Sequence, residues 1–178
     1  MLAFESGFTP IELGAAQFNA YLADEGLDAA LEARRRGGSA AAPGRERYRR
    51  AAKVWLWGDA ADRAKATMSL PLEIVPVGVP GAREALRARV LWKGRPLAGA
   101  LVKVWRAPLG ADAATRDSIG VAWRGRTDSR GEVAVPVALA GEWLLSVVHM
   151  EPCTERSEDD WESTWSSLTF QRAAAVPQ

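Results

Sequence analysis

The sequence predicts a mainly β protein, a prealbumin-like or immunoglobulin-like β-sandwich preceded by a helical hairpin. Three observations carry this prediction. Beyond about residue 44 the apolar residues change from the spacing of a helix to the alternation of a strand. Short alternating runs then recur about every ten residues, which is typical of sandwiches. Clusters of Pro and Gly separate these runs, as expected at turns.

The first part of the chain predicts a helical hairpin over residues 9–36. Thr9 and Pro10 form a helix-start signal, with the threonine as N-cap and the proline in the first turn. Phe18 and Leu22 then recur at helical spacing on one face. The segment is too short to build its own core. We therefore expect it to pack on the sandwich, to pair with another chain, or both.

Runs in which apolar and polar residues alternate follow, as is typical of strands, and "LRARVLWKG" is the clearest of them. In the earlier run "KVWLWG", Val54 and Leu56 share one face and Trp55 and Trp57 the other. Both faces are apolar, so we expect one to cover the sandwich and the other to need a cover. The predicted organisation is an N-terminal hairpin and strand over 1–58, a linker over 59–69, the sandwich over 70–172 and a tail over 173–178.

Composition excludes several classes of protein. The net charge is +1 and no recognition motif is present, so nucleic acid is not an expected partner. The single cysteine rules out an intrachain disulfide. No apolar run approaches the ~18 residues of a membrane span. The opening "MLAFESGFTP" lacks the basic and apolar regions of a signal peptide, so the sequence predicts no export signal.

No catalytic pattern is present. The sequence lacks G-x-S-x-G, a P-loop, G-x-G-x-x-G, H-E-x-x-H and C-x-x-C. One histidine and one cysteine leave a single candidate base for nucleophilic catalysis. We therefore expect a protein that is not an enzyme and needs no cofactor.

His149, the only histidine, ends the run "GEWLLSVVHM". It follows Trp143 and Val147 at strand spacing, so it shares their face. Three interpretations stay open: a neutral buried histidine, a metal ligand, or a contact to a partner. A Ni²⁺ or Zn²⁺ site needs several ligands, and Cys153 and nearby carboxylates are the candidates.

Charge is strongly divided along the chain. Residues 34–53 hold eight basic side chains against one acid, and residues 151–162 hold six acids against one arginine. Basic residues beside tryptophans suit an acidic protein patch or an anionic membrane surface. The acidic run suits a docking loop for a basic partner, a cation site or a solvated loop. The predicted partner-binding residues are Arg45, Arg47, Arg49, Arg50, Trp55, Trp57, Asp159 and Asp160.

Several segments resemble known proteins. "GRPLAGALVKVW", "TDSRGEVAVPV" and "AGEWLLSVVH" resemble the prealbumin-like sandwich repeat, with Asp128 and Gly131 framing a tight hairpin. Together with "FNAYLADEGLDAALEARR", "GRERYRRAAKVWLW", "LPLEIVP" and "DWESTWSSLTF", they resemble a family of secreted bacterial proteins described as nickel-transporter periplasmic-component-like. The resemblance covers residues 3–171.

This resemblance implies a periplasmic location and a chain truncated at its N-terminus. Members of the family have a signal peptide and a first β-rich domain with a histidine, which this sequence lacks. The family's metal ligands therefore carry over only to His149. We expect a non-catalytic, extracytoplasmic binding or scaffolding subunit docked on a membrane complex, such as a transporter or a respiratory or photosynthetic complex. The alternative is a periplasmic component that binds nickel or cobalt ions for uptake.

Overall fold

The computed structural model has a mainly β fold of two facing sheets, with helices near the N-terminus, as the sequence predicts. It describes residues 1–56, 67–78, 85–154 and 158–173. Sheet A contains β1 (Leu2–Glu5), β2 (Thr9–Leu13), β3 (Gly44–Trp55), β7 (Leu101–Ala107), β8 (Trp123–Arg126), β10 (Gly141–Pro152) and β11 (Trp161–Arg172). Sheet B contains β4 (Leu72–Pro76), β5 (Leu86–Trp92), β6 (Arg95–Pro96) and β9 (Glu132–Val135).

The strands of the N-terminal segment belong to sheet A, one of the two sheets of the sandwich. The strand order of sheet A is β1-β3-β11-β10-β7-β8, and β2 lies beside β1 along the same edge of β3. β3 runs parallel to β11, from Glu46 opposite Trp161 to Trp55 opposite Phe170. The other strand pairs of both sheets are antiparallel. Residues 1–56 therefore pack on the sandwich as two edge strands and one internal strand.

The main core lies between the inner face of sheet A and sheet B. Alternate residues of the long strands point into it, since successive side chains of a strand face opposite sides. On β10, for example, Leu145 and Val147 are buried, and on β11 Leu168 is fully buried. Strand β4 contributes a continuous buried run, "LEIVP".

The helices α1 (Ala15–Asp24) and α2 (Asp28–Arg36) cover one half of the outer face of sheet A. Phe18 and Leu22 are fully buried there against Val148 and Met150 of β10. A side chain at Gly44 would run into the Phe18 ring, so glycine is required where α1 approaches β3. A third, five-residue helix, α3 (Ala113–Asp117), lies between β7 and β8.

A buried lysine fixes the end of α1. Lys103 is 3% exposed, and its Nζ lies 2.6 Å from an Asp24 oxygen and 2.8 Å from a Glu25 oxygen. The hydrogen bond from Lys103 holds the pKa of Asp24 below its ordinary value. No helix in the described part of the chain has the length and apolar character needed to cross a membrane.

Two local predictions from the sequence are wrong. Thr9 and Pro10 do not start a helix, because Thr9–Leu13 forms strand β2 and α1 begins at Ala15. Pro10 is tolerated because β2 is an edge strand. The turn at Asp128 forms, with Asp128 Oδ1 accepting from the amides of Arg130 and Glu132. It does not close a hairpin, since β8 pairs with β7 whereas β9 pairs with β5.

An ion pair joins the two sheets within the core. Lys53 of β3 is 1% exposed, and its Nζ lies 2.7 Å from Glu73 Oε1 of β4. The same carboxylate accepts the amide of Met68 at 2.7 Å. Burial lowers the pKa of Lys53 from its ordinary value, and the bond to Glu73 opposes this shift. Among the described residues, neither Lys53 nor Glu73 forms a second ion pair.

We expect Lys53→Met to destabilise the fold by about 3–5 kcal/mol, because Glu73 is left buried without its cation. The double variant Lys53→Met/Glu73→Gln should recover most of this loss, since a glutamine still accepts the Met68 amide. Chemical denaturation of both variants measures the free energy of unfolding. A loss below about 1 kcal/mol for the single variant, within the range of an exposed pair, would contradict this role.

Candidate functional site

Arg45 and Asp160, which the sequence analysis placed in opposite docking patches, form an ion pair with each other. Arg45 Nη2 lies 2.8 Å from Asp160 Oδ1, and Nε lies 3.2 Å from Oδ2. The pairing of β3 with β11 brings them together, and the Asp160 amide also donates to the Arg45 carbonyl. The bond from Arg45 holds the pKa of Asp160 below its ordinary value. Asp159 lines a polar cleft of about 700 Å³ beside this pair.

Arg47 and Arg49 also have partners within the chain. Arg47 Nη2 lies 2.6 Å from Glu162 Oε2, and Arg49 Nη1 lies 3.1 Å from Glu5 Oε1. Both guanidinium groups lie over the ring of Phe8, 4.9 Å and 4.7 Å from its centroid. These two arginines therefore hold the bend between β1 and β2 against β3, and carboxylates balance their charge.

The structure places Trp55 in the main core rather than on the surface. Its side chain is 3% exposed, and its ring lies 5.8 Å from that of Phe170. Trp57 lies outside the described residues. Arg50 lies on the other face of β3, with its guanidinium over the rings of Tyr48 and Trp165.

The half of the outer face of sheet A that α1 and α2 do not cover carries a row of mostly apolar residues that the sequence analysis missed. Strand register places five residues side by side, one on each of β1, β3, β11, β10 and β7. Residues in register point to the same face. We call this set the apolar row: Leu2, Val54, Thr169, Leu144 and Trp105.

The apolar row is exposed where it reaches the edge of the sheet. Leu2 is 61% exposed and Val54 39%, while their neighbours Phe4 and Leu56 are 60% and 48% exposed. At the other end, Trp105 and Leu144 line a cavity of about 340 Å³. The alternation of side chains along a strand predicted that both faces of β3 near Val54 are apolar. It could not show that Trp55 would face the core and Val54 the surface.

The edge beside the apolar row is open. Strand β1 pairs with β3 on one side, and no strand in the described ranges pairs with its other side. All four of its residues are exposed. An open strand edge offers unpaired backbone donors and acceptors, and it is a common route to association with another chain. The apolar row and the β1 edge thus form one continuous candidate docking surface.

His149 lies at the end of the main core, half-buried between the sheets. Its ring lies 4.5 Å from the ring of Trp92 in sheet B, and its Nε2 lies 3.4 Å from Glu151 Oε1. Glu151 also accepts from the Trp92 indole nitrogen at 3.0 Å and from Lys93 Nζ at 3.2 Å. His149 therefore belongs to a polar contact that joins β10 to β5.

The described residues contain no group of three or more His, Cys, Asp or Glu side chains placed to hold a metal ion. His149 and Glu151 together supply two donor groups at that point. Stable transition-metal sites in proteins usually have three or four protein ligands. Metal binding at His149 stays a prediction from the family resemblance.

The chain belongs to the family described as Domain of unknown function (DUF4198), whose model matches residues 9–151. The match includes α1, α2 and α3 and most of the sandwich, and it stops before β11. No curated protein and no solved structure gives a significant match. The family match assigns no activity, so the description nickel-transporter-like is not confirmed.

The position of His149 predicts a pH-dependent stability. Burial lowers its pKa from the ordinary value, so the folded state favours the neutral ring. The contribution of His149 to the free energy of unfolding is therefore complete at a pH above about 6.5, the pKa of histidine in the unfolded chain. It is lost as the pH falls from that value through the lower pKa of the folded state.

We expect the wild-type protein to lose more stability than His149→Gln when the pH falls from about 7.5 to about 5, as measured by urea unfolding. Comparing the two proteins cancels the titration of groups that both share. Equal losses in the two proteins would show that His149 is not held in its neutral form by the fold.

Proposed function

We propose that the protein is a non-catalytic binding subunit that docks on a larger extracytoplasmic complex at a membrane, such as a transporter or a respiratory or photosynthetic complex. The observation that carries the proposal is the exposed end of the apolar row, at Leu2 and Val54, beside an edge of β1 with which no described strand pairs. A surface of this kind is unusual on a protein that works alone, since exposed apolar patches mark interaction sites.

The chemistry of the surface favours an extended strand of the partner as its occupant. Such a strand would form main-chain hydrogen bonds with β1, as in strand addition. Leu2 and Phe4 point to the same side of β1, so they would contact alternate side chains of the added strand. An apolar strand fits this surface, because the nearest acid, Glu5, already pairs with Arg49.

Leu2 and Phe4 are the large apolar side chains of β1 that an added strand would bury. Full burial of an exposed leucine or phenylalanine contributes about 1.5–3 kcal/mol each. Main-chain hydrogen bonds along β1 add specificity of register. The neighbouring Val54 and Leu56 would extend the contact across the edge of the sheet.

The internal pairing of the arginines favours a protein partner over an anionic membrane surface. Binding to anionic lipids depends on unpaired basic groups near the surface. Arg45, Arg47 and Arg49 each pair with a carboxylate of the same chain. The alternative function, nickel or cobalt binding, rests on the family resemblance and on His149, and it stays a prediction.

The proposal predicts that Leu2→Ser/Phe4→Ser weakens binding to the partner by about a hundredfold or more, the equivalent of about 3 kcal/mol. A photo-cross-linking residue at position 4, used in native membranes, first captures the partner for identification. The affinity of the purified pair is then measured by calorimetry. Thermal stability should hardly change, since both side chains are exposed.

Leu139→Ser is the matched control, because Leu139 is 59% exposed but lies in the loop before β10, a strand that β3 and β11 separate from β1. It should leave the affinity unchanged. Equal binding by the double variant and the wild type would contradict the proposal. Cross-linking of position 4 only to a second copy of this chain would also contradict it, since the occupant would then be a homodimer partner.

A further inference from the structure

Glu46 is a buried acid without a cation beside it. It is 2% exposed on the outer face of β3, beneath helix α1. Its carboxylate accepts from the hydroxyl of Tyr21 at 3.1 Å and from the hydroxyl of Ser163. No basic side chain in the described part of the chain pairs with it. Burial raises its pKa above the ordinary value, and the two hydroxyl groups oppose this shift.

The other buried acids of the described structure differ in this respect. Glu73 pairs with Lys53 at 2.7 Å. Glu132 pairs with both Arg89 and Arg87, whose bonds hold its pKa below the ordinary value. A buried charge is normally paired, because leaving it uncompensated is costly. Among the described residues, Glu46 is thus the buried acid with which no basic side chain pairs.

A cavity of about 350 Å³ lies directly beside Glu46. Aromatic rings form much of its wall: Tyr21 from α1, Tyr48 from β3 and Trp165 from β11. The rings of Tyr21 and Trp165 are stacked, 5.7 Å apart and 6° from parallel. Leu13 of β2 adds an apolar side. The cavity thus combines aromatic faces with one buried carboxyl group, and the side chain of Arg50 also lines it.

The position of Arg50 shows that these rings attract positive charge. Its guanidinium carbon lies 5.6 Å from the centroid of Tyr48 and 5.8 Å from that of Trp165. Arg50 is exposed, and none of the described acids forms an ion pair with it, so the two rings are the described side chains that its guanidinium group contacts. A cation over an aromatic face is stabilised by the negative potential of the ring.

We propose that this cavity binds a small organic cation of the alkylammonium class, with its charge next to Glu46 and its alkyl groups against the aromatic rings. The volume lies near the lower end of the range for ligand pockets, which favours a small molecule. Aromatic walls with an acid recognise substituted ammonium groups in this way. A bare metal ion fits poorly, because hard cations need several oxygen ligands and Glu46 is a single carboxylate.

Calorimetry with two probes of the same shape tests the charge requirement directly. Choline carries a trimethylammonium group, and 3,3-dimethylbutan-1-ol is its neutral isostere. At matched ionic strength, we expect the wild-type protein to bind choline at least about tenfold more tightly than the alcohol. Glu46→Gln should weaken this preference, because only the attraction of the rings for the cation remains, and melting curves would show that the variant is folded.

Arg50→Gln should bind choline more tightly than the wild type, because the competing internal cation is gone. Arg95→Gln is the matched control, since Arg95 is exposed on sheet B and its loss changes the net charge equally. It should leave choline binding unchanged. The proposal is overturned if choline does not bind, if it binds no better than the alcohol, or if the two arginine variants behave alike. The probe pair and Arg50→Gln decide the question even if Glu46→Gln fails to fold.

Discussion

The parallel pairing of β3 with β11 is the constraint on which the rest of the structure depends. It inserts a strand from the N-terminal segment into sheet A, from Glu46 to Trp55. This register brings Arg45 to Asp160 and places Lys53 opposite Glu73 of the other sheet. It also gives β1 and β2 an edge on which to pair. Without β3, the two edge strands β1 and β2 would lose the strand with which they pair.

The outer face of sheet A is divided between two uses. Helices α1 and α2 cover the half that carries Val148 and Met150, and Lys103 marks the limit of that cover through its bonds to the end of α1. The other half carries the apolar row, which is exposed at Leu2 and Val54. Strand β3 contributes to both halves: Glu46 lines the aromatic cavity under α1, and Val54 belongs to the docking surface. The two proposed sites are therefore separate, and each can be tested without the other.

The sequence predicted the elements better than their arrangement. The alternation of apolar and polar residues predicts the long strands, because each strand has one side in the main core. The helical spacing of Phe18 and Leu22 predicts α1 in the same way, because one side of that helix is buried. The prediction of a helix start at Thr9 and Pro10 was wrong, because these residues pair with β3 as part of strand β2 and this pairing overrides the local signal. Pairing between strands more than a hundred residues apart leaves no local pattern. For the same reason, the sequence did not show that Arg45 and Asp160 pair, or that Glu46, set among arginines, is buried without one.

Native-state hydrogen exchange of β3 is the most direct test of this account. If β3 is an integral strand of sheet A, the amides of Ala51 and Lys53 should open with the same free energy as those of Leu145 and Val147 in β10, close to that of global unfolding. Exchange of β3, together with α1, at a much lower free energy than β10 would contradict the account. It would show that the N-terminal segment detaches from a sandwich that is stable without it.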